Sequence, residues 1–64
     1  MWFQVKYIPE SDNVEYFRQV RAISSKDACT QVRELLKPET VKTISARLIY
    51  PDTPDGLPGE WIEG

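Results

Sequence analysis

The sequence predicts an α+β domain of order β-β-α-β. A three-stranded antiparallel sheet carries one helix packed on one face, and an acidic Pro/Gly-rich tail follows. Three observations carry this. Residues 2–8 and 43–50 alternate side chains with the two-residue period of a strand. Residues 24–37 space apolar groups at helical intervals between a capping serine and a proline. All three glycines and three of the five prolines fall in residues 51–64.

"WFQVKYI" (2–8) places Phe3, Val5 and Tyr7 on one side and Trp2, Gln4, Lys6 and Ile8 on the other. Aromatic and β-branched residues at this period fit a pleated, half-buried surface. "PESDN" (9–13) is a cluster of turn formers, so "VEYFRQVRAI" (14–23) should return antiparallel as the second strand of a hairpin. In "SSKDACTQVRELLKP", Ser24 serves as N-cap, with Asp27 completing a short capping box. Ala28, Val32, Leu35 and Leu36 form the apolar stripe, with Cys29 at its edge. Pro38 disfavours helix at Lys37 and ends the segment. "TISARLIY" (43–50) alternates again, turning Ile44, Ala46, Leu48 and Tyr50 to one side and Ser45, Arg47 and Ile49 to the other. The expected core is Phe3, Val5, Tyr7, Val20, Ala22, Ile44, Ala46 and Leu48 against the helix stripe. The expected division is a domain over 1–50 and a tail over 51–64.

Sixty-four residues allow one small core, burying about 60% of the surface the unfolded chain exposes. A single cysteine, Cys29, permits no internal disulfide, which favours a reducing compartment, the cytoplasm. No apolar run reaches the roughly 20 residues of a membrane span, and the opening segment is too short and too alternating for a signal peptide. The net charge of −2 is uneven: residues 1–50 sum to +2, and the tail contributes −4 with no base.

Several kinds of chemistry lack their residues. There is no histidine, hence no Ser-His or Cys-His nucleophile pair and no ordinary zinc spacing. No glycine-rich phosphate loop is present. Asp52 and Asp55 form the nearest thing to a carboxylate pair, in a segment with no expected pocket. The expectation is a non-enzymatic protein with no metal and no cofactor. Cys29 reads as a small, partly buried helix residue rather than an activated thiol.

The informative feature is the uncovered side of the sheet. Trp2, Lys6, Phe17, Arg21, Arg47 and Ile49 should lie there, with Gln4, Ile8, Glu15, Gln19, Ile23 and Ser45 among them. Aromatic side chains set among cations suit an interaction site. Two points stay open. Arg18 falls on the expected core side, so a β-bulge near Phe17 and Arg18 would exchange the two and return Phe17 to the core. Leu57, Trp61 and Ile62 would fold back over the open face, their neighbouring acids meeting Arg21 and Arg47, or stay mobile and dock on a partner as an aromatic anchor in an acidic peptide, or form a disordered end with no role.

The run "VRAISSKDA" (20–28), a helix ending near a proline, and "ISARLIYP" (44–51) together resemble very small phage-encoded host-takeover proteins of β-β-α-β plan, such as the T7 inhibitor of host RNA polymerase. The resemblance covers about residues 2–51 and lies in the strand-end and helix-cap junction. It implies a non-catalytic regulator that binds a host enzyme through strand-borne arginines, with Arg47 the position to suspect. The acidic tail departs from that plan. A protein partner for Trp2, Lys6, Phe17, Arg21, Arg47, Ile49 and Trp61 is thus the leading expectation. Single-stranded nucleic acid stacked on Trp2 and Phe17 is the alternative, disfavoured by a pI of about 4.9. A homodimer closed through open faces or edge strands is a third reading. No membrane partner is expected.

Overall fold

The computed structural model describes residues 1–64. It contains strand β1 (Trp2–Pro9), strand β2 (Tyr16–Arg21), helix α1 (Ser25–Leu36), strand β3 (Val41–Leu48) and a two-residue strand β4 (Ile62–Glu63). All neighbours pair antiparallel, in the order β2-β1-β3-β4. The sheet therefore has four strands rather than the three expected. In a three-stranded sheet β3 would present an unpaired row of backbone groups, and the end of the chain returns to pair with it. No helix is long and apolar enough to cross a membrane.

β1 lies at the centre because its alternation serves both neighbours. Phe3, Val5 and Tyr7 are buried under the helix, while Gln4, Lys6 and Ile8 stay half-buried on the opposite side. β2 is shorter than residues 14–23. Asp12 extends the turn by accepting from the Val14 amide at 3.1 Å and the Tyr16 hydroxyl at 2.7 Å. Asn13 takes φ = 56°, a left-handed conformation that asparagine tolerates better than most residues. β3 begins and ends two residues earlier than expected, so Ile49 and Tyr50 lie beyond it.

The helix starts as expected. Ser24 Oγ accepts from the Asp27 amide at 3.1 Å, and the Asp27 carboxylate accepts from the Ile23 amide at 3.2 Å. Its buried face is rotated from the expected stripe. Ala28, Cys29 and Val32 are fully buried and Leu36 is partly so, whereas Leu35 is 63% exposed. At about 100° per residue, turning Cys29 towards the sheet carries Leu35 out of it. Cys29 is thus a central core residue, and Leu48 only flanks the core.

Residues 49–64 are tied to the sheet. Turns close where the Asp52 amide donates to Ile49 O at 3.0 Å and the Gly56 amide to Thr53 O at 3.2 Å. The Gly59 amide reaches Leu48 O at 2.8 Å, β4 aligns Ile62 with Ala46 and Glu63 with Ser45, and the Gly64 amide donates to Ile44 O at 3.1 Å. Ser45, expected on an open face, is buried.

Candidate interaction surface

The β1–β2 register runs without interruption from Trp2 opposite Arg21 to Tyr7 opposite Tyr16. No bulge interrupts it, so the exchange of Phe17 with Arg18 does not occur. Phe17 lies opposite Lys6 on the side away from the helix and is 53% exposed. On the other flank Gln4 aligns with Arg47 and Lys6 with Ser45. Strand alternation thus gathers Trp2, Gln4, Lys6, Phe17, Arg21 and Arg47 on one face.

Trp61 lies on that face. Its ring centroid is 4.3 Å from Lys6 Nζ and 4.4 Å from Arg47 Cζ, and the Phe17 ring stands 6.3 Å away at 46°. Each cation over an indole is worth roughly 0.5–1 kcal/mol at exposed sites. Arg47 Nε also donates to Gln4 Oε1 at 2.9 Å, which fixes the guanidinium on the sheet. A second cluster lies at the other end of the strands, where Arg21 Cζ is 5.7 Å from the Trp2 ring. The face therefore has two parts: Lys6, Phe17, Arg47 and Trp61 in one, Trp2 and Arg21 in the other. Ile49 joins neither ring cluster. It is half-buried beyond β3, its amide donating to Trp2 O at 3.1 Å.

The tail covers the face differently from expectation. Of Leu57, Trp61 and Ile62, only Trp61 lies over it. Leu57 is largely exposed, and Ile62 faces the helix side because it aligns with the core residue Ala46. The tail acids do not pair with Arg21 or Arg47. The single ion pair in the molecule is Lys37–Glu34, at 3.1 Å on the helix. Asp52 instead accepts from the Trp2 backbone amide at 2.7 Å, and Asp55 from the Leu57 amide at 2.9 Å. An exposed ion pair contributes about 0–1 kcal/mol, so a carboxylate that closes a turn or holds a strand end loses little by leaving an arginine unpaired. Lys6, Arg21 and Arg47 are consequently cations with aromatic and amide neighbours and no carboxylate.

Behind the sheet, Gly64 lies directly against Cys29. A Cβ at position 64 would come within 2.6 Å of Cys29 Cβ and closer still to Sγ. Arg33 Nη2 donates to Gly64 O at 2.9 Å. Burial raises the Cys29 thiol pKa above its ordinary value, with Arg33 acting in the opposite direction. Tyr16, stacked 5.6 Å from Tyr7, has its hydroxyl pKa raised chiefly by the hydrogen bond to Asp12. Residue types alone did not disclose the Gln4–Arg47 bond or the Gly64–Cys29 contact.

Protein-family models, curated proteins and solved structures were compared with the chain, and none matches.

Proposed function

We propose that the chain is a non-catalytic protein-binding regulator or inhibitor that engages its partner through the aromatic and cationic sheet face and the tail strand lying on it. The observation that carries this is the set of three cations, Lys6, Arg21 and Arg47, held beside Trp2, Phe17 and Trp61 with no carboxylate partner. Tryptophan and arginine are the residues that most often dominate binding energy at protein interfaces, and unpaired cations favour an acidic partner surface. The resemblance to phage host-takeover proteins suggests a host enzyme as the partner and Arg47 as a central contact. Trp61 already occupies the Lys6–Phe17–Arg47 part of the face, which leaves less stacking surface for a nucleic-acid strand than an open sheet would offer.

The test is capture from nuclease-treated lysate of the source or host cells, with the wild-type chain beside Trp2→Ala, Arg21→Glu and Arg47→Glu. One dominant protein that all three changes lose is the expected result. Retention by all three removes this face from the interaction. Signal that appears only when nuclease is omitted replaces the protein partner with nucleic acid.

A further inference from the structure

We propose that the β3 edge and the Lys6–Phe17–Arg47 socket form a receptor for one extended, acidic segment of the partner, of pattern aromatic–x–acid–Gly, and that residues 61–64 occupy this receptor in cis. The proposal rests on the protein-binding reading above and narrows it: the partner's segment displaces the tail strand, so the sheet face and not the tail makes the contact. The chain itself holds an example of the occupant. Backbone hydrogen bonds and β-pairing dock residues 59–64 on β3, as in recognition by strand addition, where the main chain supplies affinity and alternate side chains supply specificity. Positions 61 and 64 are read closely, whereas 62 and 63 are fixed only in the side of the sheet they face. Position 61 places an aromatic ring between two cations and Phe17. Position 62 turns to the helix side, where Ile62 remains 55% exposed and little is demanded. Position 63 returns to the cationic side as an acid, opposite Ser45. Position 64 admits no Cβ, because Cys29 fills the space.

Charge points the same way. Lys6 and Arg47 have no carboxylate partner, and Glu60 and Glu63 flank Trp61 without an ion pair. An acidic strand in trans would find the same field. The cis strand is also replaceable, since only two of its residues form regular ladder and Glu60, Ile62, Glu63 and Gly64 are exposed. A tethered segment acts at an effective concentration of roughly millimolar, so it screens the receptor from weak ligands and yields to a strand that binds more tightly.

The probe is a fluorescein-labelled peptide of sequence GEWIEG (residues 59–64), followed by anisotropy against full-length chains. Trp61→Ala and Gly64→Ala each weaken the cis strand and leave Lys6, Phe17 and Arg47 in place. Both variants should bind the peptide at least tenfold more tightly than the wild type does. Adding Arg47→Glu to either variant, or replacing the peptide's tryptophan or its last glycine by alanine, should abolish the gain. Equal binding to wild type and both variants, no binding to any of them, or binding indifferent to Arg47→Glu and to the peptide's glycine would overturn the proposal. Because the assay contains no partner, its failure beside a successful capture removes the receptor alone. A failed capture beside peptide binding removes the regulator reading instead.

Discussion

Gly64→Ala tests the least obvious packing contact in the molecule. The new methyl would stand 2.6 Å from Cys29 Cβ, where carbon atoms rest at about 3.5–4.0 Å, so one side must yield by about 1 Å. Cys29 is fully buried on the helix beside the equally buried Ala28 and Val32, with no open space to move into. Forcing the methyl in costs roughly 1–3 kcal/mol by the usual penalty of overpacking. Lifting the strand end instead forfeits the Gly64–Ile44 and Arg33–Gly64 hydrogen bonds, each worth about 0.5–1.5 kcal/mol. Either route removes about 1–3 kcal/mol from a net stability of roughly 3–10 kcal/mol for a chain of this size. Urea denaturation reads the global loss, and the rate of Cys29 modification by a disulfide reagent in native buffer reads the local one. Lifting the strand should speed modification roughly 5- to 150-fold, since each 1.4 kcal/mol is a factor of ten. Cys29→Gly in the Gly64→Ala background removes both obstructing atoms, so the two changes should cost less together than their separate costs added. A Gly64→Ala chain with wild-type stability and wild-type thiol reactivity would refute the contact.

Further consequences follow from the same geometry. Trp61→Ala removes two cation–indole contacts and should lower stability by about 1–2 kcal/mol in urea; a change under about 0.3 kcal/mol would show that the ring is not held there. Val32→Ala should cost about 1–3 kcal/mol for the cavity it leaves, whereas Leu35→Ser should stay within about 0.5 kcal/mol because Leu35 faces solvent; a loss at Leu35 as large as that at Val32 would restore the helix face expected from sequence. Burial raises the Cys29 pKa, so above about pH 8.5, where an unfolded thiol ionises, the unfolded chain holds fewer protons than the folded one and stability falls as pH rises. Tyr16 acts with the same sign at higher pH, so the test is the difference between wild type and Cys29→Ala, expected flat below about pH 8 and declining above it; a difference that rises with pH would contradict the burial.

The hairpin, the helix and β3 were legible because each is long enough to show its period, and because the helix start is written in Ser24 and Asp27. The open face was legible for the same reason: once β1 alternates, Trp2 and Lys6 must share a side. What escaped depends on contacts between distant segments. β4 has two residues, too few to display a period, and only the unpaired edge of β3 gives them a strand partner. The rotation that buries Cys29 and exposes Leu35 is set by how the sheet meets the helix, since both residues fit an apolar stripe. The tail acids looked like partners for arginines from charge alone, yet Asp52 and Asp55 bind backbone amides nearer to them. Arg18 suggested a bulge because its side chain falls on the helix side of the sheet. β2 is an edge strand, and Arg18 stays exposed there without one.

The most direct test of the whole account is a proton NMR spectrum of the full chain with nuclear Overhauser contacts assigned from the Trp61 indole. Contacts to the Lys6 and Arg47 methylenes are expected, with the Lys6 ε-methylene shifted upfield by the ring 4.3 Å from its ammonium. An indole at free-peptide shifts, with no contact to β1 or β3, would leave the cationic face uncovered and contradict the account at its centre.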